Sequence, residues 1–526
     1  MIKTFFSIMC TSFFLFVNAQ NTLHYLEITS PAPPAYPYKN KPFDAQIRFQ
    51  NLFFETLVDD NKQNNGYESR HINIESSELT SNWFSAEYIK GWQWNDGSGY
   101  VNISDIVYSI KEANKIGVFS PFTVKNVQAD GKNIILELGS ENLPNNKNDI
   151  IDRMRQIYVV PNKSGENDGK DFEANPRSGT FPYGTGPFGW GEIPRGENSK
   201  KIILEAGNGD WSPLGAPNID SLIIEEVPLL MNHWSQMAGG NINLLIKTTR
   251  TARESAKSDS KLKLKPFASD HVSFLLFNYK EDIFDEKEVR LGIDLSIDKE
   301  RLAQETLKGD ATVISGPFSS QSPYFDPTVA SRKKNIKEAE KLLNNSLTKN
   351  EDGFFEIDGK PISLLFIYDK NINNSEKAVL DQIEQNLKDI GFKVRRKGLL
   401  APSYKAYLKN GRFHIAYYRH QYDRRSFAHP LFASNRLIKQ NRYPDLNYGK
   451  FYDKNVDIIV GEWTKARDRV SKNRIGKDFH KRLNDEVASI FLFSQKSYAI
   501  HRANVEPIIV PYYFFGRPHE WTIENK

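Results

Sequence analysis

From Asp358 to Arg419 the chain alternates strand-like and helix-like patterns in close succession, and this alternation restricts its architecture more than any other stretch. Asp358-Gly359 is a hairpin-type turn dipeptide, and 361–368 reads as a buried strand. From about Ser375, Val379, Ile383, Leu387 and Ile390 recur at helical spacing, and Gly391 stands where a left-handed C-terminal cap belongs. A strand at 392–396, a short helix around 404–408 and a strand at 413–419 complete the series. Strand and helix in regular alternation imply a parallel sheet and the α/β class. In open parallel sheets ligands sit beyond the carboxyl ends of the strands. That rule points to Tyr368 with Asp369 and to Arg419 through Arg425.

The N-terminus reads as an export signal: Lys3 precedes an apolar run at 5–17, and Val17 and Ala19 occupy small-residue cleavage positions, which gives a leader of residues 1–19 and a mature start at Gln20. The run is shorter than the ~20 residues a spanning helix needs. Met9 before Cys10 is not the small residue that lipidation requires. Cys10 is the only cysteine of the chain, so the exported portion can hold no disulfide, thiolate metal site or cysteine nucleophile. Stability must come from core burial, and 526 residues exceed the ~250–300 at which one core stops growing, so two or three domains are expected. Lys and Arg number 70 against 65 Asp and Glu, with no basic stripe interleaved with aromatics, which excludes a nucleic-acid footprint. Lys261, Lys263 and Lys265 alternate with Leu262 and Leu264 as in a half-exposed strand.

Other local signals place further elements. Asn102 and Asp105 have capping-box spacing ahead of Ile103, Ile106, Val107 and Ile110, and 134–138 and 272–279 read as strands. The segments 142–149 and 162–177 read as polar loops, and composition shifts again at 248–261. In 284–318, Asp285 with Glu288 predicts a capping box opening a helix through Val289, Ile293 and Ile297, and Asp298 predicts the cap of a second helix carrying Leu302. This segment, the hairpin-and-helix start at 94–110, the Gly-Thr-Gly-Pro turn within 181–190 and the Asn-rich loop before a helix at 447–463 occur in an order that resembles one family. That family is the extracellular solute-binding proteins of the oligopeptide, dipeptide and nickel class, family 5.

The resemblance implies a two-lobed α/β periplasmic binding protein of type II, the Venus-flytrap kind, with an extra subdomain on the first lobe. It implies a discontinuous first lobe (20–50, 178–264 and 485–526), an extra subdomain at 51–177 and a second lobe at 265–484. It implies a monomeric periplasmic receptor that captures a short peptide and delivers it to an ABC permease of the inner membrane, without cofactor or catalysis. An anionic solute or metal chelate on the same fold, or a secreted enzyme or sensory subunit, is the alternative.

Candidate site chemistry concentrates at 413–432. Arg419, His420, Asp423, Arg424, Arg425 and His429 lie among Tyr417, Tyr418 and Tyr422. In peptide-binding members a carboxylate in the loop after this strand pairs with the ligand's α-ammonium group, and Asp423 is the only carboxylate available, although the common Asp-Pro dipeptide is missing and the register is offset. Three arginines beside one aspartate offer a rival, an anionic ligand held by bidentate guanidinium contacts, and Asp423 neutralising Arg424 or Arg425 on a solvated loop is the bland reading. His414, His420 and His429 lie close in sequence and leave a nickel-chelate role as a further option, but without thiolates or a tight pair they are weak metal ligands, and scattered structural histidines are the bland reading. Residues 184–189 match G-x-G-x-x-G, but Pro187 and the following glycines forbid the helix that a phosphate would need. The turn instead offers exposed backbone N–H groups, with Tyr183, Phe188 and Trp190 to line a cleft wall. No G-x-S-x-G, H-E-x-x-H or Walker pattern is present. Asp423, Arg419, His420, Arg424, Tyr417, Tyr418 and Tyr422, with Tyr368, Tyr183 and Trp190, are the expected ligand contacts.

Overall fold

A computed structural model describes residues 21–29, 37–38, 44–61, 66–95, 97, 99–119, 122–140, 143–144, 146–162, 183–192, 201–207, 216–421, 429–434, 436–437, 445–466, 469–507, 515 and 518–524. The leader at 1–19 and most of the loop at 162–177 lie outside them, as do Tyr422, Asp423, Arg424 and Arg425.

The chain opens with β1 (Thr22–Glu27) and α1 (Asp44–Phe53), tied together by a buried ion pair in which Arg48 Nε meets Glu27 Oε1 at 2.5 Å. A four-stranded antiparallel sheet follows, in the order β2 (Ile72–Leu79), β3 (Trp83–Tyr88), β5 (Asn133–Leu138), β4 (Val124–Asp130). α2 (Ile103–Lys115) precedes β4 and packs on it, and it starts with the expected capping box of Asn102 and Asp105. The polar stretch after β5 is not all loop: α3 (Lys147–Met154) begins there with its own capping box, Asn146 and Asp149. Ile150, Ile151 and Met154 then turn inward.

Next come β6 (Phe188–Glu192), β7 (Lys201–Ala206), β8 (Ser221–Glu226), β9 (Leu244–Leu245) and the 16-residue β10 (Leu262–Phe277). α4 (Lys287–Ser296) and β11 (Ala311–Val313) lead to β12 (Ser363–Asp369), α5 (Asn374–Ile390), β13 (Lys393–Leu399), α6 (Ala401–Lys409) and β14 (Ile415–Gln421), the alternation expected from the sequence. α7 (Lys454–Lys465), α8 (Arg469–Asp485) and β15 (Ser489–Arg502) close the fold. Asp358 and Gly359 form the tight turn ahead of β12 with φ of 50° and 71°, a left-handed pair that suits this dipeptide. Gly391 ends α5 at φ 119°.

Asp285 does not cap α4. Its N–H bonds to the Asp282 carbonyl and closes a short 3-10 turn, leaving Asp285 itself in helical conformation, and the cap position passes to Glu286 without a side-chain bond. Asp298 does cap, accepting the Arg301 N–H at 3.0 Å. The helix it opens relaxes into a π turn at Leu302–Thr306.

Among the described residues eleven strands form one sheet in the order β13-β12-β14-β10-β15-β9-β1-β8-β7-β6, with β11 on β15. β10 and β15 pair antiparallel from Leu262↔Arg502 to Leu276↔Ser489 and carry the sheet from one lobe to the other. At one end they contribute Phe267 and Ala499 to a core shared by β1, α1, the four-stranded sheet and α2. At the other, side chains of alternate residues point to opposite faces. Leu275 and Phe277 join a core with α4 and α5, while Val272, Phe274 and Leu276 join one with α6, α7 and α8. β12 is buried on both faces in the same way, Leu364 and Phe366 in one core and Ile367 in the other, which is why it reads as a continuous apolar run. The register between β10 and β15 breaks between Ala268 and Val272, at the passage between lobes. No helix among the described residues is long and apolar enough to cross a membrane.

Candidate functional site

β12 and β14 run parallel, with Tyr368 opposite Tyr417, so the carboxyl ends singled out in the sequence meet at one end of the second lobe's sheet. The N-terminus of α5 faces them, and the Glu376 carboxylate in its first turn ties β14 to the helix start. Glu376, buried at 3 % exposure, accepts the Asn373 N–H at 3.2 Å as the reciprocal half of a capping box. Its Oε1 also takes the Tyr417 hydroxyl at 3.1 Å, and Arg419 Nη1 lies 3.4 Å from its Oε2. Arg419 Nη2 donates to the Asn371 carbonyl at 2.7 Å. Burial, reinforced by the Glu376 charge, pushes the Tyr417 phenol far above its usual range, so it stays protonated and donating. Tyr417, buried, and Arg419, its side chain 32 % exposed, thus brace the strand end through hydrogen bonds within the protein. Glu376 was not among the residues expected from the sequence; Asn-x-x-Glu ahead of an amphipathic run was the available signal.

Tyr418, one residue on, points to the other face and packs on Phe274 and Tyr448 at ring distances of 5.6 and 5.9 Å. His420 stacks on it at 6.1 Å with an 18° interplanar angle. Burial raises the Tyr418 phenol as well. Tyr368 is half-buried under the Arg396 guanidinium, 5.7 Å from its ring centroid, and covers Gly398, where a Cβ would come within 2.7 Å of the phenol ring. β14 continues past this network along β10, so that His420 pairs with Val272 and Gln421 with His271, beside the register break between the lobes.

Tyr183 and Trp190 belong to the other lobe. Tyr183 meets Trp94 edge to face at 5.2 Å, and Trp190 lies against Phe53 and Phe49 at 5.3 and 5.8 Å. The glycine turn beside them does not present free N–H groups, contrary to expectation. Gly184 N–H donates to Asn95 Oδ1 at 2.9 Å and Gly186 N–H to the Phe53 carbonyl at 2.9 Å, while Asn95 Nδ2 returns a bond to the Phe188 carbonyl at 2.9 Å. Gly184 through Phe188 are buried, locking the end of α1 to the hairpin after Trp94.

A serine and a histidine do meet: Ser315 Oγ lies 3.0 Å from His480 Nε2. Both are buried, with Phe318 and Phe325 packed on the imidazole, Gly316 pressed against it and, among the described residues, no partner on Nδ1. Burial lowers the imidazole to about 4. This sealed contact clamps the Ser315–Phe318 turn to α8. The described residues hold no group of three or more histidine, cysteine or acidic side chains able to hold a metal. His414 accepts the Leu365 N–H on Nδ1 at 3.2 Å, which leaves its proton on Nε2, facing Glu281.

A family model described as bacterial extracellular solute-binding proteins, family 5 middle, matches residues 90–436. The oligopeptide-binding protein AppA of Bacillus subtilis is 23 % identical over 349 residues, 64 % of this chain and 61 % of that protein, so the match spans about three fifths of its length. The nickel-binding protein NikA of Staphylococcus aureus is 21 % identical over 74 % of this chain and 72 % of its own. The fold matches the solved Bacillus subtilis AppA bound to a nonapeptide at a TM-score of 0.65 and 19 % identity, over 96 % of this chain and 99 % of that one. It matches HbpA2 of Haemophilus parasuis at 0.78 and 14 % identity, over 96 % and 100 %.

Proposed function

The chain belongs to the bacterial extracellular solute-binding proteins of family 5, and from that premise we propose that it is an exported receptor that closes two lobes over a short peptide. It hands the peptide to an ABC permease and performs no chemistry of its own. Residues 1–19 are the cleaved export leader, and the second lobe extends over 265–484. One observation carries the site assignment: the last residues of β14 pair with the crossover strand beside its register break, and Asp423 follows only two residues later in the chain. The state of Arg419 favours amine recognition over anion recognition. Its charge is balanced by Glu376 and its geometry is set by Asn371, so it is no spare guanidinium awaiting an anion. Asp423 is the residue that receives the ligand's ammonium group.

The test is calorimetric titration of wild type and Asp423→Asn with free-amine and N-acetylated forms of one peptide, the peptide chosen by mass spectrometry of material co-purifying from the native compartment. Truncating one partner of a buried charge pair costs about 2–5 kcal/mol, whereas an exposed pair is worth under about 1 kcal/mol. Wild type should discriminate against acetylation, and the variant should discriminate much less. Equal binding of both forms by both proteins overturns the assignment, and loss of binding confined to Arg424→Gln would replace it with an anionic ligand.

A further inference from the structure

The sheet of the second lobe ends on β13, whose one partner among the described residues is β12. Its outer edge therefore carries backbone groups not engaged in a ladder, the condition under which another chain can add a strand. The two faces of β13 are treated differently. Arg396 faces α5 and is doubly paired, to Asp381 at 2.5 Å and Glu384 at 3.0 Å. Lys393, Arg395 and Lys397, at alternate positions on the other face, are all exposed. Among the described residues none of these three has a carboxylate within ion-pairing distance. Arg412, after α6, has none either.

Lys393 Nζ lies over the Phe354 ring, 4.7 Å from its centroid. Lys397 Nζ lies 2.7 Å from the Tyr407 hydroxyl. That hydrogen bond and the Lys397 charge, with smaller contributions from Arg412 and Arg395, lower the pKa of Tyr407. The nearby carboxylate of Glu281 faces His414 at 3.7 Å. Because the whole chain is close to charge-balanced, with 70 basic and 65 acidic side chains, a same-sign row on an open edge is a local departure. Charges on an edge strand also keep copies of one protein from pairing, but such protection works equally well with neighbouring carboxylates present.

We propose that β13 is a docking edge for an extended acidic polypeptide segment of a partner protein, which adds to the sheet as a strand. Carboxylates at alternate positions of that segment meet Lys393, Arg395 and Lys397, because the period of two is common to both strands. The inference is independent of the solute held in the crevice.

The probe is a fluorescent octapeptide of alternating glutamate and threonine, titrated by anisotropy against the full exported chain over a range of ionic strength. Binding should weaken with salt and be about five- to thirtyfold weaker in Arg395→Glu/Lys397→Glu, from the worth of two exposed ion pairs. The Arg395→Gln/Lys397→Gln variant should lose a smaller part and serves if the charge-reversed protein fails to fold. Amide exchange across 393–399 should slow when the peptide binds. A control, Lys333→Glu/Lys337→Glu, changes net charge equally elsewhere and should bind as wild type does. Equal loss in the control, binding of anionic phosphatidylglycerol vesicles in place of the peptide, unaltered amide exchange, or no binding at all would each overturn the proposal, the last leaving edge protection as the purpose of the row.

Discussion

Replacing Lys472 by methionine should loosen the contact between the two lobes. Lys472, on α8, reaches Asp149, on α3, with Nζ 3.1 Å from Oδ1 and side chains 18 % and 6 % exposed. α3 packs through Ile150, Ile151 and Met154 into the core of the first lobe, and α8 through Phe479 and Leu483 into a core of the second. The bridge therefore spans the lobes away from the crossover strands. Lys472 also lies 5.1 Å above the Trp463 ring. At Asp152, burial would raise the carboxyl, but Arg155, Lys472 and Arg153 together hold it below its ordinary value. Exposed pairs contribute at most about 1 kcal/mol, and breaking a fully buried one costs about 3–5 kcal/mol. The partial exposure here places the loss at about 1–2 kcal/mol, or a five- to thirtyfold shift of the closed-to-open ratio at ~1.4 kcal/mol per decade. Methionine keeps the stem against Trp463 and removes the charge. Asp149→Asn is a poorer choice because Asp149 Oδ2 also accepts the Asn146 N–H at the start of α3. Distances between dyes on the two lobes, measured without ligand at low and high salt, should lengthen in Lys472→Met and in salt-treated wild type. Ligand affinity should fall by no more than the same factor, since the ligand selects the closed form. Identical distance distributions for the two proteins at every ionic strength would refute the reasoning.

Acid should destabilise the fold through two buried imidazoles. Burial lowers His71 to about 3 and His480 to about 4; both remain neutral in the fold while the unfolded chain takes up protons below about 6.5, so stability is complete above that value and falls as pH drops toward 4. The His480 contribution alone is on the order of 3 kcal/mol, and thermal midpoints that do not move between pH 7 and pH 4.5 would contradict it. Gly186→Ala should destabilise by roughly 2–4 kcal/mol, since its Cβ would stand 2.5 Å from the Leu52 carbonyl oxygen and the Phe53 carbonyl carbon, both backbone; urea unfolding measures this, and a loss under about 0.5 kcal/mol would show that the turn can move. Glu376→Gln should cost about 1–3 kcal/mol, because it uncouples Arg419 and Tyr417 from the start of α5; an unchanged unfolding midpoint would show that the network is dispensable.

Signals confined to one turn or one strand are legible in the residues alone. Asn102 with Asp105, the Asp358-Gly359 turn, the α5 periodicity ending at Gly391 and the β12, β13 and β14 runs all depend on neighbours a few residues apart, and each appears where the pattern places it. The same local logic fails where two local choices compete. Asp285 has the spacing of a cap, but the 3-10 turn before it takes its N–H. At 142–149 polar composition masks the capping box of α3.

The site residues divide along the same line. Residue type and strand-end position single out Tyr368, Tyr417 and Arg419. Whether the polar groups of Tyr417 and Arg419 face a crevice or the interior depends on Glu376, more than forty residues earlier in the chain than Arg419. The pairing of β14 with the crossover strand, the bridge from Lys472 to Asp149 and the sealing of Ser315 against His480 join residues 138 to 323 positions apart. Such contacts have no period and no fixed spacing; they arise only when packed cores bring distant strands and helices together, and burial then decides which side chains remain available to a ligand.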